Sequence, residues 1–238
     1  MAANHHNNDE ILNDAQLNTL GELMSDNRKQ RIEDVLKHRT NTVTVLFENI
    51  YKHHNLSAVL RTCEGLGIQD IHIASSYPLE IARGTTQGAH KWLTVYKHKS
   101  IEDAYAALRE QGYVIAASVL ASDAVGLTAL DPTKKLCLVF GNELEGLSQT
   151  AIEQADVRFF IPMFGFVQSY NISVACAMAL YHMTHTRLEK LGYNGDLSPE
   201  YKAQLKSRWY KSSVKMANEI LAKADEFDTT VETIKQDS

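Results

Sequence analysis

The spacing of hydrophobic positions changes several times along the chain, and each change marks an element. In residues 26–39, Ile32, Val35 and Leu36 recur at helical spacing and leave the basic residues on the opposite face, which predicts an amphipathic basic helix. Residues 42–48 then form a β-branched, strand-like run in which Val43, Val45 and Phe47 alternate with Thr44 and Leu46. Asn55 suits the N-cap of a helix running to residue 66, which Gly65 and Gly67 would end before a second strand at residues 70–74. A helix over 101–111, with Ala104, Tyr105 and Leu108 on one face, leads into a strand at 113–119. The apolar run of residues 136–140 stops at Gly141, and a short helix near Thr150 precedes a strand at 157–161. Two long helices, 171–191 and 199–223, close the pattern.

Strands alternating with helices imply an α/β fold, a mostly parallel sheet covered by helices on both faces. At 238 residues one principal domain is expected. Residues 1–24, rich in Asn and weakly patterned, read as a mobile lead with at most a short helix. No apolar run approaches the roughly 20 residues that span a bilayer, and residues 1–10 lack the apolar core of a signal peptide, so a cytoplasmic protein is expected. Cys63, Cys137 and Cys176 are single and widely spaced, which suggests neither a disulfide framework nor a metal site.

The net charge of −5 argues mildly against nucleic acid, but the charge is unevenly placed. Arg28, Lys29, Arg31, Lys37, His38 and Arg39 crowd one segment. Lys202, Lys206, Arg208, Lys211 and Lys215 occupy another that holds no acid, and residues 225–237 are acidic. Two basic segments therefore flank a near-neutral centre.

In open α/β sheets, ligands settle at the carboxyl ends of the strands. The loops best placed for this are 141–146 and 162–170, where Gly141 and Gly165 would let backbone approach a ligand closely. The chain has no glycine-rich dinucleotide fingerprint and no P-loop. The two loops suit a flat or adenosine-like ligand and are equally compatible with two ordinary tight turns. Arg61, taken alone, reads as a solvated helix residue. The adjacent His53 and His54, and His182 with His185 at i, i+3, lack the partners of a metal site, and no Ser-His-Asp or paired-carboxylate order stands out.

Three segments carry a resemblance as a set: residues 55–61 (Asn-Leu-Ser-Ala-Val-Leu-Arg), 138–146 (Leu-Val-Phe-Gly-Asn-Glu-Leu-Glu-Gly) and 161–175, with Pro162 and the run Gln168-Ser-Tyr-Asn-Ile-Ser173. In order, they resemble motifs 1, 2 and 3 of the SpoU branch of the SPOUT methyltransferases, and within it the TrmH-type tRNA (guanosine-2′-O)-methyltransferases. The resemblance implies a C-terminal trefoil knot, one of the rare exceptions to unknotted topology. It also implies S-adenosylmethionine as cofactor, a homodimer, tRNA as partner, and no metal or membrane. The implied domain plan is a lead (1–24), a basic helix (25–40), a SPOUT domain (41–192) and a helical extension with an acidic tail (193–238).

By matching positions, Arg61, Asn55, Glu143, Ser169 and Asn171 would be catalytic, and Ser118, Gly141, Ile161 and Tyr170 would hold the cofactor largely through backbone groups; Tyr170 stands where leucine is common. Arg28, Arg31 and Arg39 match basic positions of the RNA-binding N-terminal helix. The implied reaction is methylation of the ribose 2′-hydroxyl of a D-loop guanosine. Three alternatives stay open: another ribose in ribosomal RNA or the anticodon loop, a non-catalytic RNA-binding protein of the same fold, and a nucleotide-binding metabolic enzyme.

Overall fold

The computed structural model describes residues 10–75 and 88–224. The start of the lead and the acidic tail lie outside the described residues. In chain order the elements are α1 (Asp14–Glu22), α2 (Asp26–Lys37), β1 (Val43–Glu48), α3 (His53–Gly65), β2 (Asp70–Ala74), β3 (Thr94–His98), α4 (Ile101–Glu110), β4 (Val114–Ser118), β5 (Val125–Gly126), β6 (Leu136–Phe140), α5 (Gln149–Glu153), β7 (Val157–Phe160), α6 (Ile172–Leu191) and α7 (Pro199–Ser213). They form two compact units: His38–Asp196, and residues 10–37 together with 197–224.

The larger unit is built on a seven-stranded sheet of order β3-β2-β1-β6-β4-β7-β5, with every strand pair parallel. Period-2 alternation sorts the side chains onto two faces. Val43, Val45 and Phe47 of β1, with Leu136, Leu138 and Phe140 of β6, join Leu56, Val59 and Leu60 of α3 and Cys176, Leu180 and Met183 of α6 in one core cluster. Leu46, Cys137 and Val139 point the other way, against Ile101, Ala104, Tyr105 and Leu108 of α4 and Ala151 of α5. Helices thus cover both faces. From β1 the order runs outward to β2 and β3 on one side and through β6 and β4 on the other. That reversal is the switch point at which α/β sheets open a crevice beyond their carboxyl edge.

Several expectations change. Asn55 does not cap α3. Lys52 holds the N-cap position without a side-chain bond, and Asn55 sits inside the first turn, buried, with its amide engaged elsewhere. The predicted helix over 199–223 is interrupted: α7 stops at Ser213, Val214 is extended, Met216 has φ 55°, and residues 217–224 are helical again. Ser212, Ser213 and Val214 together supply weak helix formers at the break. Strand β3, at the sheet edge, has no counterpart among the predicted elements.

Next to β3, His72 stacks on Tyr96 and His98, and the two imidazoles share a hydrogen bond of 3.0 Å. Burial, with His98 adding to it, pushes the His72 pKa down to about 3. The unfolded chain takes up this proton near pH 6.5 and the fold does not until about pH 3. Stability at neutral pH is therefore expected to fall as pH drops through that window, by up to about 1.4 kcal/mol per pH unit. His72→Leu should flatten the melting temperature against pH between 6.5 and 4; an unchanged profile would remove His72 as the cause.

In the smaller unit, α1 and α2 pack on α7, and Leu20, Ile32, Leu36, Leu205, Trp209 and Tyr210 are buried. Lys206 pairs with Glu33 at 2.6 Å, so part of the second basic segment is spent within the unit.

Candidate functional site

The loop after β6 is closed on itself. Asn142 and Gly146 exchange backbone hydrogen bonds of 3.1 Å in both directions, and Asn142 Oδ1 accepts from the amides of Leu144 (2.8 Å) and Glu145 (2.7 Å). Gly141 is required by proximity: a Cβ there would lie 2.0 Å from the Gly146 carbonyl carbon. Gly146, at φ 72°, adopts a left-handed turn that favours glycine.

This closure presents Glu143 to α3, where its Oε1 accepts a hydrogen bond from Asn55 Nδ2. Asn55 Oδ1 in turn accepts from Asn171 Nδ2 at 3.2 Å. Asn171 is also the N-cap of α6, its Oδ1 accepting from the Ser173 amide (2.9 Å) and hydroxyl (2.6 Å). Three segments far apart in sequence are thereby joined by one side-chain chain, Glu143–Asn55–Asn171. Asn55 is buried, so its amide has to be satisfied by these partners, which fixes the loop and the α6 start relative to α3.

Arg61 lies six residues along α3 from Asn55, exposed, with no hydrogen bond or ion pair to any described residue. Its guanidinium remains available for an anionic ligand.

A cavity of about 380 Å³ opens where β4, the 141–148 loop and the loop after β7 converge. Ser118, Glu145, Gly146, Ile161, Gln168, Ser169, Tyr170 and Ala175 are among its lining residues. Of the four expected cofactor residues, Ser118, Ile161 and Tyr170 line it; Gly141 does not, but it abuts Gly146, which does. Tyr170 donates its hydroxyl proton to the Pro162 carbonyl at 3.1 Å, holding that loop. The size falls within the usual small-ligand range of roughly 300–1,000 Å³. Apolar walls from Leu147, Ile152 and Ala175 suit an adenosine ring, and the Glu145 carboxylate, with Gln168 and Ser169, suits a polar, cation-bearing tail. The residues present therefore fit S-adenosylmethionine. Glu145 and Gln168 were not among the expected site residues. Gln168 belongs to the recognised motif, whereas nothing in the spacing of Glu145 marks it.

In the other unit Arg28 and Arg31 are exposed on α2. Arg39 requires a correction. It lies past the end of α2, in the larger unit, with its side chain fully buried; it pairs with Glu64 Oε1 at 2.9 Å and donates to the Glu64 carbonyl at 3.3 Å. A buried, neutralised guanidinium cannot serve an exposed cationic face. His185, on α6, stacks on Tyr181, and its Nε2 lies 3.2 Å from Glu189 Oε1.

Comparison with known proteins extends this geometry. The model of the SpoU rRNA Methylase family matches residues 42–181, which contain every residue of the Asn55 network and of the cavity. The tRNA (guanosine(18)-2′-O)-methyltransferase of Thermus thermophilus is 37% identical over 186 residues, 77% of this chain and 96% of its own length. The protein of the same name from Escherichia coli K12 is 36% identical over 165 residues, 69% of this chain and 72% of its own. The crystal structure of the A. aeolicus TrmH/SpoU tRNA modifying enzyme matches with a TM-score of 0.73 at 33% identity, covering 80% of this chain and 98% of that one. The SpoU methyltransferase AviRb from Streptomyces viridochromogenes, solved in complex with AdoMet, shares the fold at a TM-score of 0.58 and 21% identity, over 66% of this chain and 64% of its own. With its three motifs brought together at one sheet edge and its relatives matched over most of their length, the chain belongs to the SpoU rRNA Methylase family.

Proposed function

We propose that this chain transfers a methyl group from S-adenosylmethionine to the ribose 2′-oxygen of a D-loop guanosine in tRNA. The observation that carries the reading is the Glu143–Asn55–Asn171 network, which ties the three motif segments together beside an adenosine-sized cavity. The position follows the relatives named for guanosine 18.

When bound, the cofactor supplies an electrophilic methyl group on a sulfonium. Ser118, Gly146, Ile161 and Tyr170 would hold it, and the Gly141 turn keeps the backbone of that wall in place. Asn55 and Asn171 position the motif loops by their shared hydrogen bonds, so the target is met by a preformed site. Arg61 would clamp a substrate phosphate and stabilise the alkoxide that develops on the 2′-oxygen as the hydroxyl proton passes to water. A guanidinium stays protonated below about pH 12, so it serves better as a cationic clamp than as a base. Ser169, at the cavity wall, would shape the site at the methyl group.

Arg28 and Arg31 would bind RNA phosphates from α2. The double variant Arg28→Ala, Arg31→Ala is expected to weaken tRNA affinity and to reduce the log–log salt slope by up to about 2. A slope equal to wild type would remove both residues from the RNA surface.

A homodimer and the trefoil knot belong to the same reading. Val174, Tyr181, His185 and Leu188 recur along one exposed stripe of α6, and Phe164 and Phe166 are fully exposed in the loop before it. Exposed aromatic and aliphatic side chains of this kind favour a second copy of the chain. Among the described residues no helix is long and apolar enough to cross a membrane; work on tRNA would place the enzyme in the cytoplasm.

The direct test is incubation of the purified protein with labelled S-adenosylmethionine and unmodified tRNA. Label is expected in the RNA, and none where the target carries 2′-deoxyguanosine; incorporation into the deoxy substrate would exclude 2′-oxygen chemistry.

A further inference from the structure

A second cavity, of about 230 Å³, opens beyond the carboxyl ends of β1, β2 and β3. The 141–148 loop borders both cavities: Gly146 and Leu147 line the first, and Ser148 lines the second. On the floor of the second lies Glu48, the last residue of β1, which is only 6% exposed. Its Oε2 accepts the Ser148 amide proton at 2.8 Å, and among the described residues the carboxylate makes no other hydrogen bond. A carboxylate so deeply placed has lone pairs to fill, and burial without donors is costly.

The chemistry of the lining narrows what could supply those donors. Glu48 and Glu102 outnumber Lys99, which disfavours a phosphate or carboxylate. Ala74 and Ile101 give apolar walls against which a flat ring can rest. Among the nucleobases, guanine alone offers two adjacent donor groups, N1–H and the 2-amino group, with a carbonyl acceptor beside them. Adenine and cytosine would set a ring-nitrogen lone pair against the carboxylate, and uracil has one donor between two acceptors. A base splayed out of an RNA loop is read along this edge.

We infer that this cavity receives the guanine base of the nucleoside being methylated, with Glu48 accepting from N1–H and the 2-amino group and Lys99 facing the O6 side. The inference rests on the proposed RNA methyl transfer and adds the residue that selects the base. The loop that presents Glu143 to Asn55 also supplies, through Ser148, a wall of the base pocket, so base and cofactor would meet at one structural element.

The test compares tRNA carrying guanosine at the target with tRNA carrying inosine there, which lacks only the 2-amino group. The wild-type protein is expected to prefer guanosine by about ten- to a hundredfold in kcat/KM, the worth of a hydrogen bond to a charged acceptor. In Glu48→Gln the amide oxygen can still accept from Ser148, while the carboxylate pair is gone. The guanosine-to-inosine ratio should collapse towards one while S-adenosylmethionine affinity is unchanged. A wild-type ratio near one, or a ratio in E48Q equal to wild type, overturns the inference. Should E48Q fail to fold, Thr150→Phe narrows the same cavity without touching the Glu48 hydrogen bond. It should raise KM for the guanosine substrate, and an unchanged KM overturns the inference. Absence of transfer to any RNA by the wild-type protein would instead remove the functional reading beneath it.

Discussion

Replacing Arg61 with alanine is expected to slow methyl transfer by about 10²–10³-fold while leaving S-adenosylmethionine binding at its wild-type level. Arg61 is exposed and makes no hydrogen bond or ion pair with any described residue, so its loss breaks none among them. It does not line the adenosine-sized cavity, so cofactor affinity has no reason to change. On the proposed role, what disappears is a cation at the reacting oxygen, and removing one such donor elsewhere costs about 10²–10³ in rate. Arg61→Lys retains the charge but not the planar fork, and should recover only part of the activity. Labelled-methyl transfer and calorimetric titration, run on the same preparation, separate the two effects. Parallel loss of transfer and binding would mean that Arg61 supports the cofactor site instead.

Gly141→Ala should act in the opposite order, on binding before chemistry. Its Cβ would sit 2.0 Å from the Gly146 carbonyl carbon and 2.2 Å from both the Gly146 oxygen and the Leu147 nitrogen, all backbone atoms that cannot rotate aside. The loop has to open, which breaks the Asn142–Gly146 pair and displaces Gly146 and Leu147 from the cavity wall and Glu143 from Asn55. Overpacking of this kind costs about 1–3 kcal/mol, which in affinity is roughly ten- to a hundredfold. Titration with S-adenosylmethionine should show that loss, in a protein whose melting curve still reports a cooperative fold. Wild-type affinity in G141A would mean that the loop is not part of the cofactor wall.

The sheet was legible where a strand is buried on both faces, because an uninterrupted apolar run such as residues 136–140 admits few other readings. Strand β3 escaped because it lies at the edge, where Thr94–His98 carries a single aliphatic residue, Val95, and burial cannot enforce a pattern. Local capping rules misled at Asn55: the residue type suits an N-cap, but a buried network 88 and 116 residues away in sequence claims its amide. Arg39 was misplaced for a related reason. Charge clustering along the chain says nothing about which residues turn inward, and Glu64 draws this one into the core. The motif residues were recognisable as a set by resemblance, yet no periodicity could show that Glu143, Asn55 and Asn171 bond to one another. Glu48 carried no signal of its own as the last residue of an alternating strand, and only the cavity beside it gives the carboxylate a chemical meaning.

The most direct test of the central claim is the identity and position of the methylated nucleoside in tRNA treated with the purified protein and S-adenosylmethionine. Nuclease digestion, followed by mapping of the labelled product, is expected to yield 2′-O-methylguanosine from the D-loop alone. A base-methylated nucleoside, or no methylated product from a preparation that binds S-adenosylmethionine, would contradict the account.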